Sequence, residues 1–164
     1  MVKKSVFLVL TVFSLFAASA QDDEKAFKFG IGGTLSFPVG DLKEASSVGA
    51  GFHLLAKYAV SENISVFAQT GVDVFKNKYI DDASTNLVHV PIMAGARFNS
   101  NGFFAGAGVG YGIWGGGGGT ANGFHFSPQI GYEWEKYQVF GHYGSTKVTG
   151  GSLSYAGITF FRTF

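Results

Sequence analysis

The strongest candidate for catalysis in this sequence is a histidine and a serine on one predicted strand. His125 and Ser127 are separated by one residue, so their side chains share a strand face. A serine nucleophile needs an imidazole base within about 3 Å and a third group that orients the ring, for which Glu133 or Glu135 could serve. Along an extended strand, however, Glu133 lies about 27 Å from His125. The spacing argues against a catalytic triad, and we predict that the chain is not an enzyme.

Metal and cofactor chemistry have equally little support. The four histidines, His53, His89, His125 and His142, fall on four separate predicted strands without close ligand spacing. The absence of cysteine excludes disulfides and iron-sulfur clusters. A formal net charge of +1 argues against nucleic acid as a partner. We expect no metal and no cofactor.

The composition indicates a membrane protein that has no transmembrane helix. Glycine accounts for 25 of 164 residues, roughly twice the usual share of about 7%. Charged residues reach only 14% and aromatic residues 16%, too little charge to cover a soluble domain. After the first twenty residues, no apolar run approaches the roughly 20 residues that a spanning helix needs.

The first twenty residues have the pattern of a secretory signal peptide. Two lysines precede the uncharged, mostly apolar stretch 6–18, and Ala18-Ser19-Ala20 fits the small-residue cleavage pattern before Gln21. We therefore predict a signal peptide over 1–20 and a polar lead-in over 21–27.

The remainder, residues 28–164, alternates between apolar and polar residues as a single domain of eight strands. Phe124, Phe126, Ile130 and Tyr132 share one face of the sixth strand, and His125 lies on the other. The phase of the third, seventh and eighth strands is left open. Strands are predicted over 28–37, 48–58, 64–75, 87–98, 103–114, 124–134, 137–145 and 153–164.

Three features favour a barrel whose apolar face points outward. The polar face is too rich in glycine and too poor in charge to be a solvated exterior, whereas it suits a crowded lumen. The first, third, fifth and seventh links are long and the others short, as in outer-membrane barrels, whose short turns are periplasmic. Aromatic residues also recur beside the short turns, as in a membrane-interface girdle. The predicted girdle residues are Phe29, Tyr58, Phe98, Phe103, Trp134 and Tyr137.

The signal peptide, the eight strands and segments such as "FPVGDL" and "GITFFRTF" resemble the small OmpA/OmpX-type outer-membrane β-barrels of Gram-negative bacteria, in particular Bacteroidota members. The resemblance implies an all-β, eight-stranded antiparallel up-and-down barrel in the bacterial outer membrane. It also implies outer-membrane lipid and lipopolysaccharide as surroundings, a monomer, and the barrel-assembly machinery as a partner that recognises Phe164. Arg162 departs from the pattern, because its phase would point a guanidinium at lipid, at a penalty of about 0 to 1 kcal/mol if it lies near the interface.

Polar residues on the inward face predict a plugged lumen, because unpaired buried ions are costly and should pair. The two-residue turn after Trp134 predicts that Gly131 faces Phe140 and that Gln129 faces His142. Because neither Pro91 nor Pro128 can donate a ladder hydrogen bond, we expect local bulges there. The predicted lumen residues are His53, Lys57, Gln69, Asp73, His89, Arg97, His125, Gln129 and Glu133, with Glu135 beside them.

The function that this interpretation favours is envelope integrity or surface interaction through extracellular loops. One alternative is an OmpW-like conduit for small hydrophobic molecules, which would need a lateral gap near Pro91 or Pro128. Another is an enzyme similar to the lipid A deacylase barrels, with His125 and Ser127 at its site. An inward-facing pair could not reach a membrane lipid, which argues against the enzyme.

Overall fold

The structure of the protein is a computed structural model that describes residues 27–79, 86–116 and 119–164. The predicted signal peptide and all but the last residue of the lead-in lie outside the described residues.

Eight antiparallel strands close into one barrel in which each strand pairs with its sequence neighbours and the first pairs with the last. The predicted fold class is thereby confirmed. A four-residue helix, α1 (Leu42–Ala45), interrupts the first link. In the described part of the chain, no helix is long and apolar enough to span a bilayer. The strands are β1 (Lys28–Val39), β2 (Ser46–Ala59), β3 (Ile64–Asn77), β4 (Leu87–Ser100), β5 (Phe103–Gly116), β6 (Gly119–Trp134), β7 (Tyr137–Val148) and β8 (Gly151–Thr163).

The apolar face of the barrel points outward. Ile92 and Ile130 are 54% and 68% exposed, whereas Arg97 is 1% exposed inside the barrel. A water-soluble barrel would show the reverse, because it buries its apolar side chains around the axis. The alternation of apolar and polar residues in the sequence therefore corresponds to an apolar exterior and a polar lumen.

The two ends of the barrel differ. Both ends of the described chain and the links 60–63, 101–102 and 135–136 lie at one end, which we call the short-turn rim; the other end is the loop rim. At the loop rim only the first and third links exceed two residues. The predicted fifth and seventh links are shorter than expected because pairing continues into them, as far as Gly116 with Gly119 and Val148 with Gly151. Backbone hydrogen bonds need no side chain, so a glycine-rich segment can extend a ladder.

The register of the hairpin between β6 and β7 is confirmed. Trp134 faces Tyr137, Gly131 faces Phe140 and Gln129 faces His142. The expected bulges are wrong. The ladder of β4 with β3 omits the pairs of Val90 and Pro91, and that of β6 with β7 omits the pairs of Ser127 and Pro128, but the register is the same on both sides of each gap. Each proline therefore removes local ladder bonds without inserting a residue.

Candidate functional site

Polar side chains from most strands meet in the lumen. Each predicted lumen residue occupies an inward position, and all are buried except Glu133, which is half-buried. Glu135 is the exception to the prediction, because it lies exposed in the turn between β6 and β7 with a φ of 45°. A two-residue turn needs positive φ, which takes Glu135 out of the strand and out of the inward phase.

Asp73 is the centre of the lumen hydrogen-bond network. Its Oδ1 lies 2.9 Å from Nε2 of His53, and its Oδ2 lies 3.3 Å from Nδ1 of His89. The side-chain nitrogen of Gln69 donates to Nδ1 of His53 at 3.2 Å. Because an amide nitrogen can only donate, Nδ1 of His53 accepts and its proton lies on Nε2, facing the carboxylate. Strands β2, β3 and β4 are thus joined through one buried anion.

Arg97 is the second centre, and it lies closer to the short-turn rim. Its Nε and Nη2 donate to Oε1 of Gln129 at 3.1 and 2.6 Å, and its Nη1 donates to Oε1 of Gln138 at 2.7 Å. The carbon at the centre of the guanidinium lies 4.5, 4.3 and 4.9 Å from the ring centroids of Phe67, Phe104 and Phe140. Ring faces attract a cation, most strongly where water is excluded. Among the described residues, the guanidinium is therefore held by amides and aromatic faces rather than by a carboxylate.

The two centres form one continuous chain, because Nε2 of Gln129 donates to Oε1 of Gln69 at 3.4 Å. At the far side of Asp73, the hydroxyl of Tyr155 lies 3.4 Å from Nδ1 of His89. The network thus runs from Tyr155 on β8 to Gln138 on β7.

An ion cluster lies at the short-turn rim. Glu133 is in contact with Nζ of Lys57 and lies 3.4 Å from Nζ of Lys28. A cavity of about 430 Å³ opens beside it, with Asn99 and Glu135 also in its wall. Opposite charges on facing strands meet here, as the sequence predicted.

Sequence reasoning missed the aromatic filling of the lumen. One cluster comprises Leu55, Phe67, Phe104, Phe140 and Phe161, and a second, nearer the loop rim, comprises Leu42, Phe75, Trp114 and Tyr155. Inward-facing glycines make room for these rings: a Cβ on Gly144 would lie 2.4 Å from Cζ of Tyr155. The polar residue Gln138 of β7 was also missed, whereas His142 lies inward, as its predicted pairing with Gln129 implies. The period-two spacing of Gln138 and His142 around Phe140 is the signal that could have assigned the phase of that strand.

Helix α1 lies over the mouth of the barrel at the loop rim. Leu42 is 0% exposed and packs against Phe75, Trp114 and Tyr155. The backbone N–H of Lys78 donates to the carbonyl of Ala45 at 3.1 Å, which ties the helix to the end of β3. A lone leucine in a polar loop is the only sequence signal for this contact.

The histidine-serine pair lacks the geometry of a nucleophile and its base. Nδ1 of His125 lies 2.9 Å from the hydroxyl of Thr146, and the hydroxyl of Ser127 has no partner among the described residues. Both side chains are 0% exposed. Within the ranges that the structure describes, no group of three or more His, Asp or Glu side chains is arranged to hold a metal.

Outward aromatic residues from several strands lie at the short-turn rim, and others, such as Phe37, Tyr111 and Phe124, lie toward the loop rim. All six predicted girdle residues and Phe164 lie at the short-turn rim on the outer face, and Trp134 is in ring contact with Tyr137 and Phe160 at 6.0 and 6.3 Å between centroids. Phe164, Phe160 and Ile158 share the outward phase.

A closed eight-stranded barrel with an apolar exterior and a polar lumen defines a small outer-membrane barrel of the OmpA/OmpX type. Residues 8–161 match the family described as outer membrane protein beta-barrel domain, and the chain belongs to that family. It is a protein of the bacterial outer membrane.

Solved structures share the fold at low sequence identity. Ail, the attachment invasion locus protein of Yersinia pestis, is 14% identical with a TM-score of 0.53, over 84% of this chain and 97% of that one. The N-terminal β-barrel domain of Pseudomonas aeruginosa OprF is 10% identical with a TM-score of 0.57, over 84% and 97%. Neisserial surface protein A is 17% identical with a TM-score of 0.51, over 84% and 94%. No curated protein matches the sequence.

Proposed function

We propose that the protein is a non-enzymatic outer-membrane barrel that supports envelope integrity or surface interaction, with a lumen that passes no solute. The observation that carries the proposal is the continuous filling of the lumen. The hydrogen-bond network from Tyr155 to Gln138, the two apolar clusters and the Leu42 contact occupy the interior along the barrel axis, which argues against an open pore.

The surface part of the proposal rests on the loop rim. Residues 40–45 and 78–86 are the two longer links there, and α1 holds the first of them in place. Ail, which has the same fold, is named for attachment and invasion, and a structure of it contains the heparin analogue sucrose octasulfate. An extracellular loop rim, short turns and termini in the periplasm, a monomeric state and recognition of Phe164 by the assembly machinery belong to the same proposal.

The conduit alternative has less support. It needs strands that part near Pro91 or Pro128, yet the ladders resume in the same register beyond both prolines.

Conductance in planar bilayers tests the closed lumen. The purified protein should give no reproducible conductance steps, and a large steady pore would contradict the proposal.

A deletion strain tests the envelope role: it should become sensitive to detergent, and wild-type protein should restore resistance. Complementation by a Ser127→Ala variant should be equally complete, because the proposal assigns Ser127 no chemistry.

A further inference from the structure

Arg162 is a cation on the lipid-facing side of the barrel. It follows Ile158 and Phe160 in the outward phase of β8 and lies one residue before the end of that strand. Its neighbours across the two ladders are Ile31 on β1 and Tyr137 on β7. Lipid-facing positions of such barrels are usually apolar, so the presence of a guanidinium at this position needs an explanation.

The guanidinium of Arg162 has no oxygen partner within the part of the chain that the structure describes. It lies over the ring of Phe164, whose centroid is 5.1 Å from the guanidinium carbon. The ring can attract the charge, but it accepts none of the five N–H donors in the plane of the group. An arginine at the edge of the hydrocarbon layer therefore offers several N–H donors, and the oxygens of an external anion can accept hydrogen bonds from them.

The residues around Arg162 suit the headgroup region of a lipid. Lys136 lies in the adjoining turn, where its carbonyl accepts a hydrogen bond from the backbone N–H of Thr163 at 2.7 Å. Tyr137 stacks with Phe160 at 5.7 Å between centroids, so an aromatic surface lies beside the two cations. Glu135 in the same turn is a carboxylate, so the two cations lie beside one acidic side chain. Aromatic rings with basic residues at one depth are typical of a membrane interface.

We propose that Arg162 and Lys136 bind the phosphate of an anionic phospholipid at the short-turn rim. Arg162 supplies paired N–H donors to two phosphate oxygens, Lys136 adds a second positive charge, and Tyr137 and Phe160 pack against the upper part of the acyl chains. Planar paired donors match phosphate better than a point charge does, which accounts for arginine at this position. The proposal depends on the outer-membrane location and is independent of whether the lumen is closed.

Trp134 is a built-in reporter for this site, because it lies against Tyr137 and Phe160 at the rim. The other tryptophan, Trp114, is 2% exposed inside the barrel and is shielded from lipid. Full-length protein in vesicles would be titrated with phosphatidylglycerol or phosphatidylcholine, each brominated in the acyl chains close to the glycerol. Relative quenching of Trp134 then measures the preference for one lipid over the other.

We expect wild-type protein to prefer phosphatidylglycerol by about fivefold or more, on the scale of one basic residue near an anionic surface. Arg162→Gln should reduce the preference to that of Lys136 alone, and Arg162→Lys should retain part of it. Lys147→Gln is the matched control, because Lys147 is an exposed basic residue at the opposite rim. It should leave the preference unchanged.

Heat-modifiable gel mobility confirms that each variant is folded before it is titrated. Equal quenching by the two lipids in wild-type protein would overturn the proposal, and so would an unchanged preference in Arg162→Gln. A loss of preference in Lys147→Gln as large as that in Arg162→Gln would also overturn it, since the effect would then follow net charge.

Discussion

The amide oxygen of Gln129 accepts two hydrogen bonds from one buried guanidinium, and that of Gln138 accepts one. Both glutamines hold Arg97, but they differ in what their removal leaves behind. A charged donor that loses its acceptor in a buried interior keeps its full desolvation penalty. The two glutamines therefore contribute unequally to stability, and substituting each of them in turn can rank their contributions.

Gln129→Leu should lower the free energy of unfolding more than Gln138→Leu does. The first change leaves Nε and Nη2 of Arg97 without a partner, and the second leaves only Nη1. At about 1.5 to 3 kcal/mol for each bond to a charged group, we expect about 3 kcal/mol or more for Gln129→Leu and about 2 kcal/mol for Gln138→Leu. Urea titration of the protein in vesicles measures both, and equal losses would contradict the ranking.

Asp73→Ala should destabilise the barrel more than Asp73→Asn. Alanine leaves Nε2–H of His53 without an acceptor and removes the neighbour of His89 Nδ1. Asparagine can still accept from His53 through its oxygen and can donate to His89 if that ring changes tautomer. We expect the free energy of unfolding to fall by about 3 kcal/mol for alanine and by about half of that for asparagine, on the scale of breaking a buried charged contact. If asparagine cost as much as alanine in the same titration, the negative charge rather than the bonding pattern would be decisive.

At the scale of elements, the strands could be predicted from sequence, but α1 could not. Alternation in β6 fixes which residues face outward, because lipid demands apolar side chains over the whole strand. In β3 the inward positions carry Phe67 and Phe75 beside polar residues, so both faces contain apolar residues and the phase is ambiguous. The contact of α1 depends on three distant strands, and only one apolar residue, Leu42, signals it.

Leu42→Asp should release α1 from the mouth of the barrel without opening the strands. A carboxylate cannot remain in the cluster of Phe75, Trp114 and Tyr155 without a partner, so the helix should move into water. Trp114 should then become accessible to iodide in a Trp134→Phe background. Lys43→Asp, which changes an exposed residue of the same helix, should leave Trp114 shielded. Unchanged quenching in Leu42→Asp would show that α1 does not cover the lumen.

At the scale of the whole molecule, one interface sets the fold. The outer surface meets lipid, and many polar groups of the lumen bond to one another, so each strand must separate two environments along its length. This explains why the candidate site could be predicted in part. The positions of His53 and Arg97 follow from strand phase, whereas their partners depend on register between strands. Register was predicted only for the hairpin of β6 and β7, although Asn101-Gly102 between β4 and β5 is also a two-residue turn that could have set it.

The energetic cost of a charge on the outer face should depend on its depth in the bilayer. Strand β4 offers two matched sites at which to test this. Ala94 and Ser100 are both small, exposed and outward, one in the middle of the strand and the other at the short-turn rim. Arginine at the bilayer midplane costs about 2 to 4 kcal/mol, but only about 0 to 1 kcal/mol near the interface. Ala94→Arg should therefore lower the free energy of unfolding in vesicles by a few kcal/mol more than Ser100→Arg. In detergent micelles, which adapt their shape around a charge, the difference should shrink. Equal effects of the two substitutions in vesicles would mean that the middle of the outer face does not lie in hydrocarbon.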